Sequence, residues 1–211
     1  MTPSESRSKI LWLQTAESTN TEIKRRIDTL DNLSVIAAVE QSAGRGQGDH
    51  TWHSAAGKNL TFSLLLRFPT AGKGLIAASD ILLITCVTTL GIRDYLRSRG
   101  VESRIKWPND IWVEDKKICG ILIENMLDAG KVKQSIVGIG LNINQTDWPC
   151  ELPNPVSLKQ LTGKNYVLQR ELEELVACIE KRCALLESEE RRKDLEEEFW
   201  RNCFRLNEVR Q

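Results

Sequence analysis

Two short stretches of this chain carry residue types suited to holding an anion. Gln41-Ser42-Ala43-Gly44-Arg45-Gly46-Gln47-Gly48 sets one arginine among glycines, and Lys106-Trp107-Pro108-Asn109-Asp110 is soon followed by Lys117-Ile118-Cys119-Gly120. Glycines allow successive backbone N–H groups to converge on one point, and a guanidinium among them adds a bidentate cation. Two lysines on either side of a Trp-Pro corner bring further positive charge. Together they suit a phosphorylated or carboxylated small molecule. Neither stretch is a standard nucleotide motif: no Gly-x-x-x-x-Gly-Lys-Ser/Thr occurs, and Asp49 stands where the dinucleotide fingerprint needs its last glycine. Alone, the glycine run reads equally well as a surface turn.

The positions of these residues depend on the elements around them. Lys117 would ordinarily be a solvated hairpin lysine, but Ile118-Cys119-Gly120-Ile121-Leu122-Ile123 reads as a buried strand, which puts Lys117 at a cavity mouth. Gly120 in such a strand suggests close approach of backbone or ligand. Trp107 reads as core packing. Gly138-Ile139-Gly140-Leu141-Asn142 fits either a bulged strand or part of a site.

Apolar, β-branched runs predict strands over residues 10–14, 34–41, 59–68, 103–107, 111–114, 117–125 and 132–144, with turns at 115–116 and 128–130. Thr19-Asn20-Thr21-Glu22 reads as a capping box that opens a helix to Leu30. Residues 74–99 are apolar around most of a helical circumference and predict a long buried helix, and residues 157–204 predict further helices. Residues 42–58 lack periodicity and form a long loop of the functional or mobile kind. The fold class is α+β: a mixed or antiparallel sheet packed against helices.

Composition removes several function classes. The chain has 211 residues, 29 basic and 29 acidic, so it lacks the positive field of a dedicated nucleic-acid binder. No apolar run approaches the ~20 residues that span a bilayer. Residues 1–9 are polar and precede no signal-peptide core, which predicts a cytoplasmic protein. Six scattered cysteines without a Cys-x-x-Cys pair read as buried small hydrophobes or free thiols. His50 and His53 lack an obvious third ligand for catalytic zinc.

The ordered set Glu17-Ser18-Thr19-Asn20, Gln41 to Gly48, Trp52-His53-Ser54, Gly57-Lys58-Asn59-Leu60, Lys106 to Asp110, Lys117 to Gly120 and Gly138 to Asn144 resembles the biotin–protein ligases. The resemblance covers about residues 10–145. It implies a class II synthetase-like catalytic domain that activates biotin with ATP as biotinyl-5′-AMP, with Mg2+, and passes it to a lysine of a biotin carboxyl carrier protein. Residue by residue, it implies that Ser18, Thr19, Asn20, Gln41 and Gly120 meet biotin, and that Gly44, Arg45, Gly46 and Gln47 belong to a loop over biotin and phosphate. Trp52, Asn109 and Asn142 would serve the adenylate, Lys106 the triphosphate, and Lys117 the reacting carboxylate and phosphate. Arg45 and Lys117 are the implied catalytic pair.

Two departures follow from the same resemblance. Many relatives carry arginine at the position of Gln47, which predicts looser retention of the intermediate. Residues 1–211 are expected to be a single catalytic domain, core 10–145 and helices 157–205, without the relatives' small C-terminal β domain and without a DNA-binding module. The resemblance also allows a homodimer through the open sheet edge. A lipoate or octanoate ligase on the same scaffold, and a biotin-binding module without turnover, are the alternatives.

Overall fold

In the computed structural model, residues 9–48 and 50–204 are described; the expectations at residues 1–8, at Asp49 and beyond residue 204 lie outside them. Seven strands form one sheet: β1 (Ile10–Ala16), β2 (Val35–Gln41), β3 (Leu60–Arg67), β4 (Arg104–Lys106), β5 (Asp110–Val113), β6 (Lys116–Asp128) and β7 (Lys131–Leu141). They lie in the order β1-β2-β3-β7-β6-β5-β4, with β1 parallel to β2 and every other pair antiparallel. The expected mixed sheet is therefore present. Ala129 and Gly130 both take positive φ, 46° and 76°, so a two-residue turn joins β6 to β7.

Strand β3 is buried along both faces because helices cover both sides of the sheet. On one side lies the main core, where α2 (Leu82–Ser98), α4 (Leu168–Cys183) and α5 (Glu189–Arg201) pack over Leu64, Val137 and Ile139. On the other, α1 (Thr19–Arg25) sets Ile23 against Ile36, Leu65 and Ile136. The helices are thus not confined to one face. A short helix, α3 (Leu158–Thr162), opens on a Ser157–Gln160 capping box and ends at Gly163 with φ 73°.

Helix α2 crosses α4 so closely that a Cβ on Gly91 would stand 2.7 Å from Ile179 Cα. Since that neighbour is backbone, the helices would have to move apart. Gly91→Val is expected to lower unfolding free energy by about 2 kcal/mol, read by urea denaturation.

Two expected elements are corrected. The helix over residues 74–99 begins only at Leu82, because the preceding segment pairs with the start of β7: Val132 N–H donates to Ile76 O and Ala78 N–H to Gly130 O. The helix after Thr19 is capped differently. Its N-cap is Ser18, with no side-chain capping bond, and α1 ends at Arg25 before a 3₁₀ turn at Ile27–Thr29. Thr19 and Asn20 are turned into the protein, and Glu22 pairs with Arg25 and Arg26.

The six cysteines are unpaired. Burial pushes the Cys86 and Cys183 thiols up to about 12, which suits hydrophobic packing and not nucleophilic chemistry. No helix among the described residues is long and apolar enough to cross a membrane.

Candidate active site

Where β6 and β7 run side by side, Gly120 faces Gly140 and Leu122 faces Gly138 in regular register. The bulge considered for this stretch is absent there. The glycines instead clear one face of the sheet. A Cβ on Gly138 would stand 2.4 Å from Asn20 Oδ1, and one on Gly140 2.2 Å from Trp52 Cε2. Above this floor is a cavity of about 260 Å³.

One end of the cavity is a buried polar cluster. Ser63 Oγ lies 2.7 Å from Thr19 Oγ1 and 2.5 Å from Asn20 Oδ1. Asn20 Nδ2 donates to Glu124 Oε2 at 2.7 Å, and Gln41 Oε1 accepts the Thr19 N–H at 2.8 Å. Ser18 is buried beside them. Hydroxyl and amide groups held in fixed orientations suit a ligand head that both donates and accepts hydrogen bonds.

At the other end, Lys117 Nζ pairs with Asp110 Oδ1 at 2.7 Å and lies 5.7 Å from the Trp52 ring centre. Strand β5 aims Asp110 and β6 aims Lys117 into the same space. Asn109 Nδ2 donates to Ile121 O and fixes the corner beside them.

A small hairpin closes over the top. Gly46 N–H donates to His50 O, and Trp52 N–H to Gly44 O. Gly44 is required for this close approach, since a Cβ there would lie 2.5 Å from Trp52 O. Trp52 rests its indole on Gly120 and Gly140, and its Nε1 is buried without a hydrogen-bond partner. Arg45 NH2 reaches Glu124 Oε2 at 3.5 Å. Burial works to raise the Glu124 carboxyl, but hydrogen bonds from Lys24 and Asn20, with the charges of Lys24 and Arg45, hold it below the ordinary range.

Ser18, Thr19, Asn20, Gln41, Arg45, Gly46, Gln47, Trp52, Asn109, Lys117 and Gly120, candidates drawn from the family resemblance, line one cavity. Three other candidates lie apart from its lining. Gly44 forms the base of the hairpin. Lys106 sits 3.7 Å over the Trp112 ring. Asn142 lies behind the site, donating to Val156 O at 3.1 Å. Trp107 is more than half exposed, against its reading as core, and packs on Trp200 and Phe199 at the surface.

Ser63 and Glu124 were missing from the candidate set, and Asp110, Gly138 and Gly140 stood in the motifs singled out without an assigned role. A serine amid the leucines of β3 and a glutamate in the apolar run of β6 were the available signals. No group of three or more His, Cys, Asp or Glu residues suited to a metal occurs among the described residues.

Residues 12–142 match the sequence model of the Biotin/lipoate A/B protein ligase family. The chain belongs to this family. Among curated relatives of that kind, it is 35% identical over 153 residues to the bifunctional ligase/repressor BirA of Bacillus subtilis, covering 71% of this chain and 45% of that protein. It is 31% identical over 131 residues to the biotin–[acetyl-CoA-carboxylase] ligase of Paracoccus denitrificans, covering 62% of this chain and 53% of that one. The chain thus spans about half the length of these relatives. Among solved structures, it superposes on the Aquifex aeolicus biotin protein ligase in complex with biotin and ATP with a TM-score of 0.78. That match has 26% identity and covers 95% of this chain and 80% of the other.

Within this family fold, a head-group pocket and a cationic end share one floor and one flap. A molecule lying along β6 and β7 would reach from the Ser18–Asn20 cluster to Lys117.

Proposed function

We propose that this protein is an ATP-dependent ligase that activates biotin as biotinyl-5′-AMP and transfers it to a lysine of a biotin carboxyl carrier protein. The observation that carries this reading is the convergence of Arg45 and Lys117 with the buried Ser18–Thr19–Asn20 cluster on one cavity, with Ser63 bonded to Thr19 and Asn20 behind it. The relatives' names agree with it: one acts on acetyl-CoA carboxylase, and one was solved with biotin and ATP.

In the first step an oxygen of biotin's carboxylate attacks the α-phosphorus of ATP, the bond from that phosphorus to the α,β-bridging oxygen breaks, and pyrophosphate leaves. Two anions must approach each other, so Lys117 and Arg45 supply the opposing charge from fixed positions. In the second step an incoming lysine amine attacks the acyl carbon, gives up a proton, and AMP leaves. Between the steps, the 44–52 hairpin and Trp52 keep water from the mixed anhydride.

Mg2+ fits this site as an ion carried by the triphosphate. Asp110 is the carboxylate lining the cavity, and one or two carboxylates plus phosphates are the usual Mg2+ environment. Its chemistry there is to neutralise phosphate charge.

The deciding experiment is mass spectrometry of a biotin carrier domain incubated with this protein, ATP, Mg2+ and biotin. One added biotin per carrier is the expected result. An unmodified carrier together with no pyrophosphate release would sink the enzyme reading. Modification by lipoate in preference to biotin would assign the scaffold to the other branch of the family. The buried hydroxyl and amide cluster favours biotin, whose ureido ring both donates and accepts, over an apolar dithiolane.

Gln47 lines the cavity as a neutral side chain. Gln47→Arg is expected to slow escape of biotinyl-AMP by about tenfold, the value of one added charge-assisted hydrogen bond. Release measured by chromatography of filtered enzyme checks this, and equal release rates would remove the idea.

A further inference from the structure

Glu124 stands where three parts of the site meet. It lies in the part of β6 paired with β7 alone, opposite Ile136, and on the same face as Gly120 and Leu122. Its Oε1 accepts from Lys24 Nζ at 2.7 Å. Its Oε2 accepts from Asn20 Nδ2 at 2.7 Å and is reached by Arg45 NH2 at 3.5 Å. One carboxylate therefore touches helix α1, the amide of the head-group cluster and the flap.

The three contacts are not equal. The bonds to Lys24 and Asn20 are short, and they satisfy one lone pair on each oxygen. Arg45 uses the remaining capacity of Oε2 at longer range, with its side chain nearly half exposed. It is the contact most easily exchanged. Lys24 already balances the carboxylate, so Arg45 leaves the local charge at about +1, favourable to an arriving anion.

We propose that Glu124 is a positioning residue with two tasks. It keeps the Asn20 amide turned so that Oδ1 faces the cavity floor, and it parks Arg45 at the head-group end of the cavity until a ligand phosphate takes the guanidinium over. Closure of the flap is thereby linked to the head-group end of the same cavity. The phosphate exchange rests on the adenylate-forming reading above, whereas the parking of Arg45 in the ligand-free protein does not.

Hydrogen–deuterium exchange of the 42–58 segment tests both tasks, using the full chain. Without ligand, Glu124→Gln is expected to speed exchange of the Gly46 and Trp52 amides by about twofold to fivefold, the range for one solvent-facing ion pair. Arg45→Gln should do the same, and the double variant should be no faster than either single one. Raising ionic strength to about 1 M should remove most of the difference between wild type and Glu124→Gln, since an exposed pair is screened at that salt and a packing effect is not.

Glu124→Asp, which keeps the charge one methylene short, should give intermediate exchange and serves if the glutamine variant loosens the sheet. With a non-hydrolysable sulfamoyl analogue of biotinyl-AMP bound, the difference between wild type and Glu124→Gln should vanish. Wild-type exchange in ligand-free Glu124→Gln, or multiplying effects in the double variant, would overturn the parking role. A persistent difference with the analogue bound would overturn the exchange. Loss of biotin transfer by the wild type would strike the functional reading alone.

Discussion

Lys117→Ala is expected to lower pyrophosphate release from ATP and biotin by about a thousandfold, with little change in the fold. Lys117 is the cation at the end of the cavity remote from the head-group cluster, and its partner Asp110 is in turn held by β5. Removing one preorganised charge from a developing anion typically costs about 10²–10³ in rate. Here the same deletion also leaves the Asp110 carboxylate facing the two substrate anions without its partner, which adds repulsion. Lys117→Arg should recover only a small part. A planar guanidinium cannot reproduce the compact ammonium between Asp110 and Trp52. Pyrophosphate assays at saturating substrates measure the effect, and full activity in Lys117→Ala would remove this lysine from the mechanism.

Gly140→Ala is expected to be nearly as damaging although it adds a single methyl group. That group would stand 2.2 Å from the Trp52 indole, so the ring must leave its seat. With Trp52 go the bond from its backbone N–H to Gly44 O and the closed arrangement of the hairpin. Displacing a positioned group by about 1 Å can cost about 10²-fold, and kcat/KM for ATP is expected to fall by that factor. The β6–β7 ladder does not depend on the glycine's missing side chain, so the unfolding midpoint should barely move. Steady-state kinetics in two backgrounds separate this cause from others. In Trp52→Ala protein, Gly140→Ala should cost little, because the atoms it strikes are gone. An equal loss in both backgrounds would show that the glycine serves something other than the indole.

Much of this molecule was legible in its sequence. The strands over 34–41, 59–68 and 132–144 follow from β-branched and apolar runs with turn residues between them, and these are local properties. Glycines around a guanidinium and a lysine leading into a buried strand drew attention to Arg45 and Lys117, which line one cavity. The order of the motifs gave the family, and the family match over residues 12–142 agrees with it.

Tertiary structure decided the rest, for a common physical reason: each case turns on a partner distant in sequence. Thr19 carries the local signal of a helix cap, yet Ser63 and Gln41 claim its hydroxyl and its N–H. The expected start of the long helix gives way because β7 offers residues 76–78 a strand partner. Gly138 and Gly140 fit a bulge as well as a site until Asn20 and Trp52 are seen to occupy the space their side chains would fill. Glu124 shows in the sequence only as a charge in an apolar run, and gains its partners when α1 and the flap are folded against it. Residue type and spacing set what chemistry was available here, and contacts across the fold decided which of those groups share one cavity.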